Sequence, residues 1–203
     1  IKNITIKSEQ IFYLKNKEEV YTNGKSKALN ANNIQIDADQ YFRYNKLNSL
    51  LEAKGNVKLN DKNKKIIIYT NEILYLKNEE KISTLGKTDI NVEEKYKIEG
   101  YDITLLRNEM ILSSNKKSTI RDNNLNIYKP NQFQYLINPE ILKGKKIYVI
   151  KNELDNKEDK FFFETGFFDL KKNKFLGKDI IVKFHKTLFD DENNDPRLSA
   201  ASG

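Results

Sequence analysis

The sequence predicts an all-β protein of about twelve strands, stacked as two-strand rungs in a β-solenoid or an elongated β-jellyroll. Three observations carry this. Residues 11–20, "IFYLKNKEEV", return almost unchanged at 73–82 as "ILYLKNEEKI". Apolar residues alternate at a period of two, which marks a half-buried strand. Glycines recur at 24, 55, 86, 144 and 177, and a glycine inside a strand pattern marks a bulge or sharp bend.

The units follow in order. The first reads Ile4, Ile6, Ser8, Ile11, Tyr13, and the second Ile34, Ile36, Ala38, Tyr41, Arg43. Ile66, Ile68, Thr70, Ile73, Tyr75 make the third, and Tyr96, Ile98, Gly100, Ile103, Leu105 the fourth. The fifth drifts by one residue around Pro130, giving Leu125, Ile127, Lys129, Phe133, Tyr135. Phe161, Phe163, Thr165, Phe168, Leu170 recover the pattern in the sixth, after the polar insert "KNELDNKEDK". Within each unit the phase changes once, so the inward face flips there as it does at a bulge. A polar turn such as "LKNKE" then leads into a glycine-bearing segment such as "TNGKSKA", "EAKGNVKL" or "TLGKTDI". Residues 1–184 read as one domain. Residues 185–203 are polar, carry Pro196 and end in small residues, so they read as a linker.

Composition excludes more than it assigns. Lys and Arg number 36 against 29 Asp and Glu, a formal charge of +7 that favours anionic partners. Arginine stands only at 43, 107, 121 and 197, so the positive charge is mostly lysine, which argues against base-specific reading of DNA. No nucleic-acid partner is expected: lysine is interleaved with glutamate and most aromatics fall on inward phases. There is no cysteine, hence no thiol nucleophile and no disulfide, and the single His185 cannot build a histidine zinc site. Neither a metal nor a cofactor is expected. No apolar run approaches the roughly 20 residues of a membrane-spanning helix. A start at "IKNITIK" reads as a mature or excised segment.

The second unit, "IQIDADQYFRYNKLNSLLEAKGNVKLN", resembles the repeat of the OstA-like proteins of lipopolysaccharide transport. Ile36, Ala38 and Asp39 match its first strand, and Ala53, Gly55, Asn56, Val57 and Leu59 its second. The tail "NDPRLSA" at 194–200 is similar to the segment that joins the amino-terminal periplasmic domain of the outer-membrane assembly component to its β-barrel. The third, fourth and sixth units lack the "G-N-V" wording. This resemblance implies a folded-over jellyroll, or β-taco, with an apolar trough that carries the acyl chains of lipopolysaccharide. It implies a periplasmic address, as part of an outer-membrane protein. Implied partners are a periplasmic bridge protein of the same fold, docking on the first strand at Ile4 and Ile6, and an outer-membrane lipoprotein that plugs the parent barrel. Candidate lipid-contacting residues are the inward positions Ile36, Tyr41, Val57, Leu59, Ile68, Ile73, Tyr75, Ile98, Ile103, Leu105, Ile127, Phe133, Phe163 and Phe168.

Two other readings compete: the soluble bridge of the same family, and a right-handed β-helix acting on or binding acidic polysaccharide. Such an enzyme stacks carboxylates or cations at equivalent outward places on neighbouring rungs. Here the slots of Asp37 and Asp39 correspond to Lys7 and Glu9, Tyr69 and Asn71, then Glu99 and Tyr101. That scatter suits a solvated face, and no catalytic activity is expected.

Overall fold

The computed structural model describes residues 4–30, 32–151, 158–186 and 196–203. Part of the polar insert (152–157) and part of the expected linker (187–195) lie outside the described residues. Among the described residues the chain is all-β, with seventeen strands, two short 3-10 turns and no α-helix. Seventeen stand in place of the expected dozen for two reasons. The bend foreseen from the phase change interrupts the chain between β3 (Ile34–Ala38) and β4 (Tyr41–Asn45), and between β8 (Tyr96–Tyr101) and β9 (Thr104–Leu106). It does so again between β10 (Ile111–Ser114) and β11 (Thr119–Asp122), and between β12 (Ile127–Lys129) and β13 (Gln132–Leu136). The tail also contributes a strand of its own, β17 (Arg197–Ser202). Contacts divide the chain into two compact units, Ile1–Glu94 with Glu99–Met110, and Lys95–Ile98 with Ile111–Gly203, a boundary the repeat alone does not mark.

In the first unit β1 (Ile4–Leu14) pairs with β2 (Glu19–Asn30), and the two arms of β2 pair with β3 and β4. Both then meet β5 (Leu50–Asp61), which continues through β6 (Ile66–Leu76) and β7 (Lys81–Val92) to β9. Each of these pairings is antiparallel, as the rungs of a parallel β-helix are not.

Strand alternation is reset at the bends by a local device that occurs twice. In "TNGKS" (22–26) and "TLGKT" (84–88) a glycine takes φ of +80° and +87°, where any side chain is strained. The flanking hydroxyls then satisfy the backbone that the bend frees. Thr22 Oγ1 accepts from the Phe42 N–H at 2.8 Å, and Thr84 Oγ1 from the Ile103 N–H at 2.9 Å. Thr22 Oγ1 lies 2.7 Å from Ser26 Oγ, and Thr88 donates to Thr84 at 2.7 Å. Buried hydroxyls without such partners would cost about 1–3 kcal/mol each.

In the second unit β13 joins β10 to β14 (Ile141–Lys151), β12 joins β11 to β14, and β14 continues through β15 (Asp159–Asp169) and β16 (Lys174–Lys183) to β17. Here the bend is lined by Gly144, Gly166 and Gly177, directly opposite one another. Gly203 exchanges two backbone hydrogen bonds with Gly177. The two arms of the bent strands face each other across this column: Phe163 and Phe168 of β15 meet edge to face at 5.0 Å, and Phe161 meets Phe175 of β16 at 5.9 Å.

Candidate functional site

Register turns the candidate residues into rows. Across the first unit Ile6, Ala28, Ile36, Leu59, Ile68 and Ile90 stand opposite one another in sequence. On the other arm Tyr13, Val20, Tyr44, Leu51, Tyr75, Ile82 and Leu105 make a row that crosses seven strands. Ile73 lies beside it, opposite Ala53 and Thr84. Val57, opposite Thr70, sits close to the bend. In the second unit Ile120, Tyr128, Val149, Phe161, Val182 and Leu198 form one row, and Leu112, Tyr135, Leu142, Phe168 and Phe175 the facing one. Phe163 stands between Ile147 and Ile180, and Phe133 opposite Gly144.

Thirteen of the fourteen candidate residues are buried, Ile98 and Ile103 included; Tyr41 is half-buried. Two candidates are misplaced. Tyr41 points outward, opposite Lys54 and beside Arg43, and the inward residues of β4 are Phe42 and Tyr44. The second sequence repeat has one more residue at its bend than the first and third repeats, so inward places move from 41 and 43 to 42 and 44. Tyr41 instead donates a hydrogen bond to Glu52, which together with burial pushes its pKa up to about 12. Ile127 is buried on the face opposite Tyr128, in line with Ile150 and Lys160. It is Tyr128 that meets Phe168, 5.6 Å away.

Polar contacts tie the free ends of the two arms together. A left-handed residue recurs in the turns at Glu18, Ser49, Glu80, Met110, Glu140 and Asn173. In the first unit Arg107 follows β9 and reaches across to Asp61 at the far end of β5, with Nε and one terminal nitrogen each 2.8 Å from the carboxylate. Its other terminal nitrogen meets Glu80, which also accepts from Tyr75 Oη at 3.1 Å. Burial alone would lower the Arg107 pKa, but the Asp61 bond and both carboxylates outweigh it and raise it. Burial and Glu80 push the Tyr75 hydroxyl up as well. In the second unit Lys95 and Tyr96 donate to the two oxygens of Glu140 at 2.9 and 2.7 Å. The Lys95 bond leads in holding the Glu140 carboxyl below its ordinary range. Lys151 donates to Asn173 at 2.9 Å. Sequence reasoning missed these clasps; the recurring turn glutamate is the one signal that could have pointed to them.

The ring cluster fills the space between the arms of the second unit. Among Tyr128, Val149, Phe161, Phe163, Phe168 and Phe175 the remaining void is about 10 Å³, which has room for one water at most. No family model matches this chain, and no curated protein matches it. Among the described residues no three metal-ligating side chains gather in one place, and His185 uses its backbone N–H to bond Asp159 at 3.0 Å. Chemically, the inner surface offers apolar contact and aromatic edges and faces. The expected docking residues Ile4 and Ile6 are half-buried on β1, whose other edge is unpaired among the described strands. Further along the same strand Ile11, Phe12, Tyr13 and Leu14 are 44–52% exposed.

Proposed function

We propose that this chain is a periplasmic lipid-slide domain that receives lipopolysaccharide from a bridge protein at β1 and passes it towards an outer-membrane translocon barrel. The finer fold proposed with it is the folded-over jellyroll of the OstA-like proteins, and the lipoprotein plugging the barrel is the further expected partner. One observation carries the reading. Apolar inner rows run without interruption across every strand they meet, from the free edge strand β1 to β9 in one unit and from β11 to β17 in the other. An acyl chain needs apolar length more than a specific pocket. Each buried methylene contributes about 0.8 kcal/mol, so a chain of about a dozen carbons gains on the order of 10 kcal/mol before ordering costs. Entry requires the arms to part, and the contacts described at their ends are of unequal strength, from the buried Arg107–Asp61 pair to the exposed Lys151–Asn173 bond.

A photo-crosslinking residue at Ile73 or Phe168 in cells tests this, with Tyr41 as the outward control. Capture of lipopolysaccharide is expected at the two inner places and absent at Tyr41. A folded protein giving no adduct at Ile73 and none at Phe168 would sink the slide.

A further inference from the structure

The outer side of the second unit's bend carries a feature the inner rows do not use. A Cβ added to Gly166 or Gly177 would fall on Phe168 or Phe163, at 2.6 and 2.4 Å, so the open side of these glycines faces inward and is filled by rings. By strand alternation the residues flanking the glycines point outward. The bend splays them into two walls. Lys143, Phe167 and Leu176 stand opposite one another along one wall, and Lys145, Thr165 and Lys178 along the other.

Between the walls lies a groove of about 680 Å³, extended by Gln132 and Gln134 and free of Asp and Glu in its lining. Among the described residues none of its three lysines is in an ion pair. Glu164 and Asp179, next along the strands, line a separate depression. The groove at the first unit's bend makes the contrast. It holds Lys7, Lys25 and Lys27 but also Glu9, Asp37 and Asp39, and Lys27 is already 3.7 Å from Asp37.

We propose that the groove over Gly144, Gly166 and Gly177 binds an anionic oligosaccharide. Its three lysines meet phosphate or carboxylate groups, while Gln132, Gln134 and Thr165 supply amide and hydroxyl partners for sugar hydroxyls. Phe167 gives a flat apolar surface, with Lys143 Nζ 5.7 Å from its centre. The floor is strand backbone paired on both sides, so a peptide cannot add there as a strand, and recognition falls to side chains. This site does not depend on the inner rows carrying lipid.

The test is calorimetric titration of the whole chain, at about 0.15 M salt, with a phosphorylated oligosaccharide, its dephosphorylated form, inorganic phosphate and poly-glutamate. Saturable binding of the phosphorylated sugar is expected, with weaker binding of the other three. The K143Q/K145Q/K178Q variant should weaken it at least about tenfold, and Phe167→Ala should weaken the sugar but leave inorganic phosphate unchanged. A K7Q/K25Q/K27Q variant of the first unit serves as control and should bind as the parent does. Thermal unfolding checks that each variant is folded. The proposal is overturned by absent binding, by equal binding of poly-glutamate or inorganic phosphate, or by equal losses in the two triple variants.

Discussion

Arg107 shows how much one side chain decides. It is 5% exposed and its partner Asp61 is fully buried, so neither charge has water to fall back on. Arg107→Met therefore leaves a buried carboxylate alone, and a loss of about 3–5 kcal/mol is expected. The fall in urea midpoint measures it, and adding Asp61→Asn should restore part of it. Lys151→Ala, at the exposed contact to Asn173, should cost under about 0.5 kcal/mol. Equal losses at Arg107 and Lys151 would mean that the clasp is not held by buried charge. None of this was legible in the sequence. Asp61 and Arg107 stand 46 residues apart and meet because the arms fold towards each other, which no local pattern records. Tyr75 fared better: its inward phase was readable, although its bond to Glu80 was not.

At the scale of the element, the recurring glycine has two distinct causes. Gly24 and Gly86 are set by their dihedral angle, with nothing within 4 Å of an added Cβ. Gly177 is set by space, because its Cβ would stand 2.4 Å from the Phe163 ring. Gly177→Ala should cost about 1–3 kcal/mol by overpacking, and pairing it with Phe163→Leu should return much of that. Gly24→Ala should cost about 1–2 kcal/mol, with no rescue from any neighbouring truncation. Denaturant unfolding of the three variants separates the two mechanisms; if Phe163→Leu gives no relief, ring contact is not the constraint at Gly177. From the sequence, the glycine period and the bend were visible, since both are local. Which side chains faced inward after each bend was less secure. One extra residue at the second bend was enough to turn Tyr41 outward, and the two buried neighbours Ile127 and Tyr128 gave no phase to read.

At the scale of the whole chain, the repeat made the all-β class legible, because turns and alternation recur with one period. The strand count was not, since a bend interrupts some strands and spares others. Among the described residues the two terminal strands have one partner each, β1 with β2 and β17 with β16, and an unpaired edge invites another strand. A proline scan through Ile4–Lys7 tests the docking proposed for β1. Alternate positions should abolish crosslinking to the bridge protein while the fold is retained, because successive amides point to opposite sides. Unchanged crosslinking at all four would remove the assignment. Across the bend β1 runs from Ser8 to Gln10 while β2 runs from Ser26 to Asn23, so the extra residue lies in β2. β6 meets such an extra residue in both of its neighbours, β5 and β7, and β1 makes the same demand on a newcomer. A strand laid against that edge must carry a matching irregularity of its own, or lose its ladder beyond Ser8. A strand without that extra residue pairs along Ile4–Ser8 and then falls out of step, so the bend works as the wards of a lock do, favouring a key with the same count at its bend.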